Sequence, residues 1–176
     1  MHTGTCAHLD DSKGNAMRPA LTAVLAAALT GCQTVSLPGA EKGEVKIATQ
    51  NWLAAFNSCD ADRATALYDS EPVLWGTVAS AIISSATGVH QYFERVCSAN
   101  PQPKVAIGDQ LVRIYGDTAV NSGTYTFTVF PGGKPRSFPA RYSFTYRRVN
   151  GQWLIVDHHS SALPAAPASA PTPVQQ

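Results

Sequence analysis

The chain has 176 residues, enough for one ordinary domain with tails. Charged residues make up only 14% and the formal net charge is +1, with no block of Lys or Arg, which argues against nucleic-acid binding through a broad basic footprint. No Asp-rich loop is present, which argues against a calcium site built from clustered carboxylates.

The first segment reads as a targeting signal. Arg18 supplies a short basic start after Met17, and Pro19 to Thr30 is an apolar stretch too short to span a bilayer comfortably. Leu29-Thr30-Gly31-Cys32 follows directly. That motif in that place resembles the lipobox of bacterial lipoproteins, where cleavage leaves an acylated cysteine at the new N-terminus. The resemblance implies export, lipidation of Cys32 and a membrane anchor. Gln33 in place of an Asp after the cysteine implies the outer membrane or another periplasm-facing position. Residues 1–16 carry Asp10, Asp11, Cys6 and two His, which suit a leader badly, so Met17 reads as the true start. The competing reading of the apolar run is a buried Ala-rich helix, and a metal site from His2, Cys6 and His8 is a further alternative.

Residues 33–42 hold Pro, Gly and Ser without periodicity and read as a tether; 43–163 read as the folded domain. Val45, Ala48, Trp52, Ala55 and Phe56 fall at helical spacing, which predicts an amphipathic helix over Gly43 to Ser58. Asp60 is a good N-cap for a shorter helix through Tyr68. Pro72 to Thr77 and Ala81 to Ser84 look like short strands. Thr87 can cap a third helix carrying Val89, Tyr92, Phe93 and Val96 on one face, stopped at Asn100-Pro101. After Pro103 the period changes to two. Strands are predicted over Val105–Tyr115, Ala119–Phe130, Arg136–Val149 and Gln152–Leu163, separated by Gly116-Asp117, Pro131-Gly132-Gly133-Lys134 and Asn150-Gly151. The Pro- and Ala-rich stretch 164–176 reads as a disordered tail. Helices first and an antiparallel meander after predict an α+β domain, a curved antiparallel sheet with helices on one side.

With Cys6 removed and Cys32 acylated, Cys59 and Cys97 remain, in a compartment where disulfides persist. A bond between them would stabilise the domain by roughly 3–4 kcal/mol on the chain-entropy model. Two buried free thiols are the alternative. Their spacing is far from any CxxC motif and speaks against redox or zinc chemistry.

Four stretches carry a family resemblance: Trp52-Leu53-Ala54-Ala55-Phe56, Gly123-Thr124-Tyr125-Thr126-Phe127, Ala140-Arg141-Tyr142-Ser143-Phe144-Thr145-Tyr146-Arg147, and the run from Gly151-Gln152-Trp153 through Asp157-His158-His159 to Leu163-Pro164. Residues Ile47 to Pro164 thereby resemble the nuclear transport factor 2-like superfamily of cone-shaped α+β domains. Within it they look most like the association domain of calcium/calmodulin-dependent protein kinase II and its free-standing bacterial relatives. The resemblance implies a homodimer or a ring of dimers and a pocket between the helices and the concave sheet. It implies no kinase activity, and no HRD or DFG motif is present.

The same resemblance puts an arginine of the penultimate strand in the pocket, a place matched here by Arg141 or the Ser143 position. A small anionic or polar organic ligand near Arg141 is the expected partner, and Tyr68 and Trp75, by their place after the second helix, are expected at the rim. Period-two alternation puts Arg141, Ser143, Thr145 and Arg147 on one strand face, and Trp153, Ile155, Asp157, His159 and Ser161 on one face of the next. Asp157 with His159 is the acid/base pair at plausible spacing, useful for proton abstraction. The plainer reading makes one of His158 and His159 a hydrogen-bonded core histidine and puts the other at a dimer interface. For Arg141 the plainer reading is a salt bridge on an exposed strand.

Two function classes stand open. One is a lipid-anchored oligomeric association module with a small-molecule pocket, needing no cofactor. The other is an enzyme, since the fold also supports ketosteroid isomerases and polyketide cyclases and some relatives carry oxidoreductase labels; fold alone does not choose. The missing dinucleotide fingerprint counts against a nicotinamide-dependent reaction.

Overall fold

The computed structural model describes residues 38–99 and 102–164. The signal segment, Cys32, residues 33–37 of the tether and the tail beyond Pro164 lie outside the described residues, as do Asn100 and Pro101.

The elements run α1 (Pro38–Ser58), α2 (Ala61–Thr65), β1 (Tyr68–Trp75), α3 (Ala86–Cys97), β2 (Lys104–Tyr115), β3 (Thr118–Val129), β4 (Arg136–Val149) and β5 (Gln152–Ala162). Helix α1 starts five residues before the predicted Gly43, so the end of the expected tether is helical. Its buried stripe is Val45, Thr49, Trp52 and Phe56, one turn apart along a single face. Thr49 sits among apolar neighbours because its hydroxyl is fully engaged. It donates to the Val45 carbonyl one turn back (3.1 Å), pairs with the Tyr146 hydroxyl (2.8 Å) and accepts from Asn121 Nδ2 (2.8 Å). The helix ends on Cys59 in the left-handed region, φ 53°, with Cys59 N–H donating to the Phe56 carbonyl and Asp60 N–H to the Ala55 carbonyl. This is the reverse turn usually closed by glycine, and here a cysteine occupies it. Asp60 caps α2 as predicted, accepting from Arg63 N–H at 2.8 Å. Ser85, and not Thr87, caps α3, accepting from Gly88 N–H at 3.1 Å.

The five strands make one curved, unclosed sheet in the order β1-β5-β4-β3-β2. Strands β2 to β5 are the predicted meander. At the last hairpin Asn150 and Gly151 both have positive φ, 50° and 82°, which suits a two-residue turn of the twist the strands require. The sheet is nevertheless mixed: β1 adds to β5 in parallel, Val73 beside Asp157 and Trp75 beside His159. The second expected short strand is reduced to one bridge, Ile83 to Leu74. An ion pair from Arg147 to the buried Asp69 (2.8 Å) ties β1 to β4 across β5, and that guanidinium holds the Asp69 carboxyl below its usual range.

One face of the sheet meets the helices. Tyr142, Phe144 and Tyr146 of β4 point into this core, and Arg141, Ser143, Thr145 and Arg147 point away from it. The decisive irregularity is in β5. Thr145 pairs with Asp157 and Tyr146 with Ile155, so Val156 is an extra residue, a β-bulge. Trp153 and Ile155 face the core before it; His158 and Ser160 face the core after it. Strict alternation is thereby broken, and Asp157, His159 and Ser161 turn outward with the β4 arginines.

Candidate functional site

The core opens between helices and sheet into a cavity of about 380 Å³, a size that suits a small organic molecule. Each element contributes by its own period. Helix α1 supplies Trp52 and Phe56, one turn apart, and α3 supplies Tyr92, Phe93 and Val96. Strand β3 supplies Tyr125, Phe127 and Val129, two residues apart, and the loop after β1 brings Gly76, Thr77 and Val78 across the mouth. Most of the lining is aromatic or aliphatic, and no Lys, Arg, Asp or Glu lines it among the described residues.

Cys59 and Cys97 form a disulfide, Cα to Cα 5.4 Å. It joins the end of α1 to the end of α3, next to the cavity residue Val96, and so fixes the helical wall.

Polar side chains interrupt the apolar lining, and two of them, Ser160 and His158, are placed there by the bulge. Ser160 shares hydrogen bonds with the hydroxyls of Thr77 and Tyr125, all three at the cavity wall. His158 is 2% exposed, its ring stacked on Phe144 (centroids 4.1 Å) and met edge-on by Trp52 (5.2 Å). Burial, followed by the neighbouring His159, pushes the His158 pKa down to about 3 from its ordinary 6.5, so the ring is neutral near neutral pH. Its Nδ1 lies 2.7 Å from the Tyr68 hydroxyl, which in turn accepts from Trp52 Nε1–H at 3.2 Å. Burial raises the Tyr68 pKa, so that hydroxyl keeps its proton. The indole takes one lone pair of its oxygen, and the hydroxyl proton goes to His158 Nδ1, its one acceptor among the described residues. The imidazole proton therefore sits on Nε2, a buried atom with no partner among the described residues.

The predicted site residues separate. Tyr68 is buried behind the wall, where it orients His158 instead of forming a rim. Trp75 is 45% exposed beside His159 on the outer face. Arg141 is exposed there too, donating to Ser161 Oγ at 3.0 Å, and Ser143 pairs with Ser122 at 3.1 Å. Neither lines the cavity. The guanidinium meets a serine, in place of the expected pocket ligand or salt bridge. Asp157 and His159 share that outer face, remote from the cavity lining, because Val156 shifted the register. The plainer reading of the histidine pair holds for His158, which is the hydrogen-bonded core histidine. His158, Ser160, Tyr125 and Thr77 were missed as site residues; period-two reasoning assigns the first two to the wrong face. No group of three or more His, Cys, Asp or Glu able to hold a metal exists among the described residues.

Comparison with known proteins agrees with this architecture. The family model for the calcium/calmodulin dependent protein kinase II association domain matches residues 41–164. A solved structure from Xanthomonas campestris named for that association domain is 36% identical, with TM-score 0.65, covering 70% of this chain and 88% of its own. A Streptomyces avermitilis protein of the nuclear transport factor 2-like family, named as a dehydratase, superposes with TM-score 0.67 at 17% identity, covering 73% of this chain and all (100%) of its own. A nuclear transport factor 2-like protein with a cystatin-like fold from Novosphingobium aromaticivorans gives TM-score 0.63 at 16% identity, covering 78% and 95%. The last two bear on the fold alone. By the family match and the Xanthomonas relative, the chain belongs to the calcium/calmodulin-dependent protein kinase II association domain family, within the nuclear transport factor 2-like fold.

Proposed function

We propose that this chain is an exported, lipid-anchored, homo-oligomeric association module that holds a small organic molecule in its cavity and has no kinase activity. The cavity carries the binding reading: about 380 Å³ of mostly apolar space, open at its mouth, backed by a disulfide-tied helical wall and broken by the His158 ring and the hydroxyls around Ser160. Its lining favours a neutral ligand over the anion expected near Arg141, since a buried carboxylate would find no cation among the described residues there and would lose its hydration uncompensated. Self-association is supported by the outer sheet face, where Leu111, Tyr115 and Trp75 remain exposed without helices to cover them. Export and anchoring rest on the Leu29-Thr30-Gly31-Cys32 motif. The acid/base reading has no support at the cavity, because Asp157 and His159 lie on the other side of the sheet.

Native mass spectrometry tests the reading in one measurement. Dimers or multiples of dimers, carrying extra mass that dissociates on activation, are expected. A monomer without extra mass, and without affinity for any neutral probe, would refute it.

A further inference from the structure

We infer that His158 is the specificity residue of the cavity: its neutral imidazole donates one hydrogen bond from Nε2, and the ligand class is a neutral, mostly hydrocarbon, ring-containing molecule with a carbonyl or equivalent acceptor. This deepens the binding reading above and rests on it. Three observations converge. The ring lines the cavity and is almost wholly buried. Nδ1 is engaged by Tyr68, which does not line the cavity, so Nε2 is the one polar ring atom left for a ligand. Nε2 has no partner among the described residues, whereas a buried donor costs free energy until it finds one.

The donor sense is fixed by the relay behind the ring. Trp52 Nε1–H can only donate, so the Tyr68 oxygen accepts from it with one lone pair, and the sense of the second bond follows from the Tyr68 proton, whose one acceptor among the described residues is Nδ1. Flipping the tautomer would leave the Tyr68 proton buried without an acceptor. The hydroxyl cluster lacks this polarity: Tyr125 donates to Ser160, but the bond shared by Ser160 and Thr77 can run either way, so the cluster tolerates either sense in a ligand. His158 alone demands an acceptor. The aromatic walls of Trp52, Phe56, Phe93 and Phe127 set the rest of the class, since flat rings pack on them.

Three probes of similar ring size separate the possibilities: 1-tetralone (ketone), tetralin (its hydrocarbon) and 1-naphthoate (an anion). Equilibrium dialysis against the full chain and His158→Phe, which keeps a flat ring of similar size, reads the preference for ketone over hydrocarbon. Wild type should show a preference larger by about threefold to tenfold than the variant, as one net hydrogen bond contributes. Equal preference in both proteins, or naphthoate as the tightest probe, overturns the inference and leaves the cavity reading standing. Binding of none of the three sinks both. Because His158→Phe strands the Tyr68 hydroxyl and could fold poorly, nitrogen-15 spectra of imidazole-labelled wild type serve as the second readout. A protonated Nε2 beside an unprotonated Nδ1, with the Nε2 signal moving on addition of 1-tetralone and not of tetralin, is expected. A proton on Nδ1 refutes the inference regardless of the variant.

Discussion

A buried neutral histidine makes the stability of this domain depend on pH with a definite sign. His158 has its pKa depressed to about 3 in the native state, against an ordinary 6.5 in the unfolded chain. Above pH 6.5 both states hold the ring neutral and it contributes no pH dependence. As the pH falls between 6.5 and about 3, the unfolded chain binds a proton that the native state refuses, so stability is lost on acidification. At ~1.36 kcal/mol per unit, the two units from 6.5 to about 4.5 cost about 2.7 kcal/mol. Asp69, also depressed, adds the same sign of loss, but only as the pH falls below its ordinary 3.8, so it barely contributes to that interval. The assay is urea unfolding of wild type and His158→Phe near neutral pH and near pH 4.5. The variant starts less stable, because the Tyr68 hydroxyl loses its acceptor. The informative quantity is therefore the difference in slope: wild type should lose about 2–3 kcal/mol more than the variant over the interval. Parallel losses in the two proteins would refute the buried neutral ring and with it the assigned tautomer.

Cys97→Ser opens a disulfide of sequence separation 38 and should cost about 4 kcal/mol on the chain-entropy model, with a melting temperature about 10–20 °C lower; thermal unfolding reads it, and a loss under about 1 kcal/mol would mean that the unfolded chain is already compact there. Gly123→Ala should destabilise by about 2–3 kcal/mol, because a Cβ would stand 1.9 Å from the Asp109 carbonyl oxygen and must force β2 off β3; urea unfolding at unchanged slope checks it. Arg141→Ala should leave the affinity for 1-tetralone within about twofold of wild type, since the guanidinium is on the opposite sheet face, bonded to Ser161; equilibrium dialysis decides. Labelled fatty acid should enter the wild-type chain in cells and fail to enter Cys32→Ser, and equal labelling would end the lipid-anchor proposal.

The helices and the meander were legible because local patterns carry them. Helical spacing of Val45, Trp52 and Phe56 marks α1, Asp60 caps α2, and Asn150-Gly151 closes the last hairpin through backbone angles that those two residues adopt readily. The disulfide stood as one of two options, since spacing in sequence says nothing of the Cα separation in space. The parallel docking of β1 on β5 was not legible: β1 pairs with a strand some eighty residues further on, and nothing local records that choice.

The candidate site was misread for a physical reason. Alternation is a strict period of two only while every residue on a strand has one partner. At Val156 two residues of β5 oppose one step of β4, and the period slips by one. That single residue puts Asp157 and His159 outside and His158 and Ser160 inside, so the side chains expected to do chemistry face away from the cavity. Composition, capping and hydrophobic period determined by themselves that this chain makes an α+β domain with helices over a meander. Which face each β5 side chain takes, and therefore which residue meets the ligand, was decided by tertiary structure: a bulge is selected by how the strand fits its two neighbours and the helices above, and no window of sequence contains those contacts.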